Sequence, residues 1–177
     1  MKLVVSQLNE GENRFEFESP KEAWLQQVVQ RISQEGYHLP SPLQVEVNLT
    51  KLEPDYYLRG SMRFTIEQNC ARCAEGFVMP VNHTFHVAMA HLTHGKSRSP
   101  ELMEESEELD INFFEGNEID LSPVIEEQFF LSLPYQSVCQ EDCKGICQQC
   151  GKNRNIAKCT CVPKAASAFS VLQNLVS

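Results

Sequence analysis

The spacing of the cysteines constrains this chain more than any other feature. All 8 lie in close pairs. Cys70-x2-Cys73 stands alone upstream, and Cys139-x3-Cys143-x3-Cys147-x2-Cys150-x8-Cys159-x-Cys161 fills one short stretch near the end. At 177 residues the chain can bury a hydrophobic core without covalent staples, so the thiols need an explanation other than small size. The opening MKLVVSQLNEGENRFEFESP has one Lys and a brief apolar run before its acidic residues, so it does not read as a signal peptide. No window approaches the roughly 18 apolar residues that a membrane span needs. The expectation is a cytoplasmic protein, where closely spaced thiols point to metal or redox chemistry rather than to disulfides.

Eight thiols are enough for two closed tetrahedral zinc sites, each held by four thiolates. Cys147-Gln148-Gln149-Cys150-Gly151 has the form of a chelating turn, with a glycine where a positive φ is useful. Its natural complement is Cys159-Thr160-Cys161, giving one compact site from Cys147, Cys150, Cys159 and Cys161. Cys70, Cys73, Cys139 and Cys143 would then form a second site that ties a distant hairpin to the segment after Pro134. The rival readings are a dithiol redox pair at Cys70 and Cys73, and cysteines that merely pack in a core. Redox CxxC pairs usually open a helix, and the flanks here read as strands. His83, His86, His91 and His94 could suggest a further ligand set, but His83 and His86 fall on opposite faces of a strand. They are read as exposed strand histidines.

No P-loop, G-x-S-x-G or H-E-x-x-H motif is present, and the carboxylates fall in solvated runs. The chain therefore reads as a binding or scaffold protein without a small-molecule substrate, not as an enzyme. Net charge is −9, which opposes diffuse attraction to nucleic acid or to an anionic membrane. Its distribution is uneven. Residues 139–177 carry five of the 15 Lys and Arg but only two of the 24 Asp and Glu, so this segment is +3 and the remainder −12. The five cations are Lys144, Lys152, Arg154, Lys158 and Lys164.

Along the chain, MKLVVSQL and the alternating Phe15 and Phe17 predict one or two short strands. Ser19-Pro20 reads as an N-cap followed by a first-turn proline, with Trp24, Leu25, Val28, Val29 and Ile32 as a helical stripe ending at Gly36. Leu43, Val45, Val47 and Leu49 alternate with Gln44, Glu46, Asn48 and Thr50 and predict a half-buried strand. After a turn at Glu53-Pro54-Asp55, YYLRGSMRFTIEQNC runs into the Cys70–Cys73 turn and FVMPVNHTFHVAMAHL leaves it as a second strand. Residues 95–110 read as an acidic solvated loop. A second helix is expected with Ser122 as N-cap, Pro123 in the first position, and Leu121, Val124, Ile125, Gln128, Phe129 and Leu131 facing the core. AASAFSVLQNLVS could form a tail helix. The predicted fold is α+β, a curved antiparallel β-sheet with two or three helices. Its domains are a body, 1–138, carrying the CxxC hairpin, and a C-terminal zinc-binding module, 139–177.

These pieces resemble a known family. A strand ending in Cys70-Ala71-Arg72-Cys73, the Asp120–Glu127 helix running into Leu131-Ser132-Leu133-Pro134, and Cys143-Lys144-Gly145-Ile146-Cys147 through Cys161 are similar to the bacterial YceD family of large ribosomal RNA subunit accumulation proteins, which has plastid relatives. The resemblance covers about residues 60 to 175. It implies a part in 23S rRNA accumulation and large-subunit biogenesis. It also supports the ligand partition, since some members keep the CxxC while lacking the second knuckle. Val162-Pro163-Lys164-Ala165 departs from the Asp-Pro-Arg segment often found there. Two functional readings follow: a basic zinc module that contacts rRNA, a ribosomal protein or an assembly intermediate, or a protein–protein adaptor whose zinc sites only brace the fold.

Overall fold

A computed structural model describes residues 1–52, 55–92 and 110–161. The chain divides into two compact units, one formed by Met1–Gln68 with Val78–Tyr135, the other by Asn69–Phe77 with Gln136–Ser177. The Cys70–Cys73 turn thus counts with the C-terminal cysteines, whereas a boundary drawn at 138 leaves it in the body.

The larger unit holds the regular structure. Its elements run β1 (Lys2–Val4), a short 3-10 turn (Val5–Gln7), β2 (Glu12–Glu18), α1 (Ala23–Gln34), β3 (Gln44–Leu52), β4 (Asp55–Asn69), β5 (Gly76–His91), β6 (Asp110–Phe114), β7 (Glu118–Asp120) and α2 (Leu121–Leu131). The ends of β4 and β5 that flank the CxxC belong to the second unit. A five-stranded sheet has the order β2-β3-β4-β5-β6, and β1 pairs with β7 in a separate two-stranded ribbon. The α+β class is as expected. One edge departs from the antiparallel scheme, because β5 and β6 pair in parallel, Val87 opposite Asp110 and His91 opposite Phe114. The short runs DINFF and EID offered too few alternations to be recognised as strands.

The alternation in β3 decides which face is buried. Leu43, Val45, Val47 and Leu49 are buried while their neighbours are not. Antiparallel register sets Phe17 beside Val45 and Phe15 beside Val47 on one side, and Leu58 beside Leu49 and Met62 beside Val45 on the other. Leu25, Val28 and Ile32 of α1 join Val124, Ile125 and Phe129 of α2 in the same core. Phe17 meets Trp24 edge-on with ring centroids 5.1 Å apart, and Arg31 bridges to Glu126 at 2.7 Å between the helices.

Both helix starts differ from expectation. Ser19 does not cap α1: its hydroxyl accepts the Leu43 N–H at 3.0 Å and its own N–H donates to the Leu43 carbonyl at 3.0 Å. Strand pairing captures the residue that the local pattern assigned to a cap, the Ser19–Pro20 bond is cis, and the helix opens at Ala23 with no side-chain cap. Its end is as read. Gly36 takes φ +91°, its N–H reaches the Ser33 carbonyl and the Tyr37 N–H reaches Ile32, a Schellman closure. The second helix starts two residues early, with Asp120 as the cap, its carboxylate accepting the Ser122 N–H at 2.9 Å. Leu131, expected in the core stripe, is 60% exposed, whereas Gln128 is 2% exposed. The acidic loop falls largely, and the tail helix and Lys164 wholly, outside the described residues. No helix of the described residues is long and apolar enough to cross a membrane.

Candidate metal centre

The second unit is built on two turns of the same design. Around Cys70, the Ala74 N–H donates to the Cys70 carbonyl at 2.8 Å and the Cys70 N–H donates to the Glu75 carbonyl at 2.9 Å. Around Cys147, the Gly151 N–H donates to the Cys147 carbonyl at 2.8 Å and the Cys147 N–H to the Lys152 carbonyl at 2.8 Å. Each turn directs two sulfurs to one side. The closing residue needs a left-handed backbone: Gly151 supplies φ +69°, and Ala74 holds φ +60° in the equivalent place.

The structure gathers the eight cysteines into two tetrads, Cys70, Cys73, Cys139 and Cys143, and Cys147, Cys150, Cys159 and Cys161, with the four sulfurs of each all within 4.8 Å of one another. A tetrahedron with metal–sulfur bonds of about 2.3 Å has edges of about 3.8 Å. In the first tetrad Cys70–Cys143 and Cys73–Cys139 are each 3.8 Å apart. In the second, Cys150–Cys159 is 3.6 Å and Cys147–Cys159 is 3.3 Å. The donor sets therefore fit two four-thiolate zinc ions, with Cys139 and Cys143 supplied by the segment after Pro134. The tetrads differ in surroundings. Cys70, Cys73 and Cys143 are buried and pack against Phe77 and Val138, while Cys150 and Cys161 are exposed.

The electrostatics of each tetrad are those of crowded like charges. The Cys139 N–H, opposed by burial and helped by the N–H groups of Cys73 and Arg72, pulls the Cys70 thiol down to about 6. Burial and the Cys143, Cys70 and Cys73 sulfurs push Cys139 up to about 12. The side-chain amide of Asn155 leads in pulling Cys143 below its usual range. In the second tetrad the N–H groups of Cys150 and Gln149 bring Cys147 down to about 6, and the Cys159 and Cys150 sulfurs drive Cys161 up to about 12. Within each set some thiols are held low and others high, because charge on one sulfur holds the proton on its neighbour. A dication shared among four sulfurs removes that conflict.

Sequence reasoning gave no role to the residues that brace the tetrads. Gly145, at φ +68°, passes so close to the first turn that an added Cβ would lie 2.8 Å from the Arg72 carbonyl oxygen. That carbonyl accepts the Ile146 N–H at 2.9 Å, and the Arg72 guanidinium donates back to the Glu141 and Cys143 carbonyls at 2.8 and 3.3 Å. Asn153 and Asn155 lie in the spacer between Cys150 and Cys159, where the resemblance to the family includes them but assigns them no role. Lys144, Lys152, Arg154 and Lys158 are exposed on the same unit. The histidines do not gather: His83 meets the Gln128 side chain at 3.1 Å and His91 the Gly116 carbonyl at 2.9 Å. Among the described residues no candidate metal group contains one. His94 lies outside them.

Residues 58–176 match the family described as Large ribosomal RNA subunit accumulation protein YceD. Among curated proteins, the Large ribosomal RNA subunit accumulation protein YCED homolog 1, chloroplastic, of Arabidopsis thaliana is 25% identical over 150 residues, covering 68% of this chain and 44% of that protein. Its namesake in Zea mays is 26% identical over 159 residues, covering 76% and 54%. An uncharacterized protein of Mycobacterium tuberculosis is 29% identical over 110 residues, covering 62% and 50%. The chain spans about half the length of the curated relatives it matches. No solved structure matches it.

Proposed function

The chain belongs to the YceD family of large ribosomal RNA subunit accumulation proteins, and from that premise we propose that it is a non-enzymatic, two-zinc factor acting in the cytoplasm in large-subunit biogenesis. The carrying observation is the pair of four-sulfur tetrads. Cys70, Cys73, Cys139 and Cys143 would hold one zinc, and Cys147, Cys150, Cys159 and Cys161 the other. Zinc in such a set supplies folding free energy and charge neutralisation. A four-thiolate ion has no open position for a reactive water, which supports a structural role. The CxxC lies between two strands rather than opening a helix, and both its sulfurs, the lowered Cys70 thiol included, sit in a closed set of four thiols.

In this reading the unit that carries the tetrads touches 23S rRNA or a protein of the assembling subunit through Lys144, Lys152, Arg154, Lys158 and Lys164. The four described cations are exposed and form no ion pair among the described residues, so their charge is available to phosphates. The acidic remainder would limit non-specific binding. No aromatic residue stands between 139 and 161, which favours backbone contact over base stacking. A second reading, a protein–protein adaptor, is favoured by one observation: Ile146 and Ile156 are 46% and 77% exposed on the same unit.

Salt dependence separates the two. Protein purified under reducing conditions is assayed for zinc, then titrated with 23S rRNA fragments and scrambled RNA at several salt concentrations. Direct contact predicts tighter binding to the 23S fragments and a salt slope that falls by about 2 when Lys152, Arg154 and Lys158 are neutralised, as expected for three contacts to single-stranded phosphates. Equal binding to scrambled RNA, or no change in the variant, assigns the unit to protein contact instead.

A further inference from the structure

The spacer of the second tetrad, Gly151 to Lys158, is held by hydrogen bonds to the segment that carries the first. The Arg154 N–H donates to the Gly145 carbonyl at 2.9 Å, and Ile146 pairs with Asn153 in an antiparallel bridge. The Asn153 side-chain amide donates to a Glu75 carboxylate oxygen at 3.3 Å, and Glu75 receives the Cys70 N–H through its carbonyl. Asn155 goes furthest: its Nδ2 lies 3.2 Å from the Cys143 sulfur, while its Oδ1 accepts the Lys144 N–H at 2.8 Å. The orientation of this amide is fixed by chemistry. Lys144 offers a donor and must face the carbonyl oxygen, so the NH2 group is the end that meets the sulfur. The Asn155 main-chain N–H is tied to Asn153 Oδ1 at 2.9 Å, which anchors the residue from its other side.

We propose that Asn155 is an outer-shell positioning residue for the first metal site, supplied by the loop that the second site closes, and that the two sites consequently bind metal cooperatively. The proposal rests on the reading that both tetrads hold zinc. A thiolate that shares its charge with a metal still accepts N–H donors, and these fix its orientation and basicity. Cys143 takes such a donor from a side chain whose position depends on the spacer between Cys150 and Cys159. A metal held by Cys147, Cys150, Cys159 and Cys161 pins both ends of that spacer, so the ordering of Asn155 is already met when the first site fills. By linkage, filling the first site tightens the second by the same factor.

The test uses the full chain, stripped of metal under reducing conditions and titrated with Co(II). Thiolate-to-cobalt absorption counts the sites, and competition with a chelator of known affinity gives each constant. Asn155→Asp retains an acceptor for the Lys144 N–H and deletes the donor to Cys143; Asn155→Ala deletes both. The expected result is two cobalt ions in each variant, with affinity at the buried site lowered about 10- to 100-fold, as is usual for loss of an outer-shell partner. C147S/C150S, which removes the second site, should lower the remaining affinity similarly, and adding Asn155→Ala to it should cost much less than in the otherwise unaltered chain. Wild-type affinity in both Asn155 variants, or losses that simply add, would overturn the coupling. If C147S/C150S does not fold, the Asn155→Ala titration decides: coupling requires a loss of affinity at both sites, and a loss confined to the buried site overturns it. A chain that takes up no cobalt at all fails on the metal reading itself, a different result from two well-bound ions with no dependence on Asn155.

Discussion

Gly60 shows how much one residue can decide. It stands at an inward-facing position of β4, opposite Val47, and the Phe85 ring fills the space where its side chain would be. A Cβ there would lie 2.5 and 2.6 Å from two ring carbons. Gly60→Ala should therefore cost about 1–3 kcal/mol by overpacking, measured as a lower denaturation midpoint with unchanged slope. Combining it with Phe85→Leu should cost less than the two changes summed. Ala74 poses the reverse case, a residue with a Cβ held at φ +60° where the sister turn uses Gly151. Relief of about 1 kcal/mol of left-handed strain, partly offset by a more flexible unfolded chain, makes Ala74→Gly neutral to mildly stabilising. Gly145→Ala should be the damaging change, because strain at φ +68° is joined by collision with the Arg72 carbonyl. Resistance of metal bound at the tetrads to a chelator ranks these two variants against the unaltered chain.

At the level of elements, helix starts depend on which oxygen reaches a free N–H, and adjacent candidates compete. Asp120 wins over Ser122 for α2, so Asp120→Ala should cost about 1 kcal/mol and Ser122→Ala a few tenths, read from thermal melts of the two variants. The Asp120 carboxyl carries a pH signature. Burial alone would raise it, but the Ser122 N–H and hydroxyl together with the Met1 ammonium outweigh that and hold it below its ordinary 3.8. A carboxyl whose pKa is lower in the folded state stabilises above the unfolded value, and that contribution disappears as pH falls through the folded one. The side chain is 45% exposed, so the effect is small and confined to below about pH 4. The difference between wild type and Asp120→Asn should shrink over that range. The β1–β7 ribbon and the parallel β5–β6 edge lay beyond local patterns, since three- and five-residue strands are defined by their partners.

For the whole molecule, each tetrad offers four thiols and the two differ in burial, which would set the exchange rates of metal ions held there. The tetrad with Cys150 and Cys161 exposed should lose its metal first to a thiol-blocking reagent or chelator, and the tetrad containing buried Cys70, Cys73 and Cys143 last. Mass spectrometry of the native chain during chelation should pass through a one-metal species alkylated at Cys147, Cys150, Cys159 and Cys161. Simultaneous loss, or first alkylation at Cys70 and Cys73, would reject that order. Cys147→Ser and Cys73→Ser then differ in degree: the first exposes an already accessible site, whereas the second opens the packed one against Phe77 and Val138.

The α+β class, the alternation that buries β3, the closing glycine of α1 and the grouping of eight cysteines in two sets of four are all legible in the residues. These are local or chemical properties: a period of two, a left-handed cap, and a thiolate count matched to a tetrahedral ion. Long-range packing is what assigns Ser19 to a strand rather than a helix, makes Gly60 leave room for Phe85, runs β6 parallel to β5, and brings Asn155 to Cys143 from the spacer of the other tetrad. Each depends on which distant groups meet. Nothing in the residues around Asn155 specifies that the free thiol twelve positions earlier, Cys143, will lie 3.2 Å from its amide.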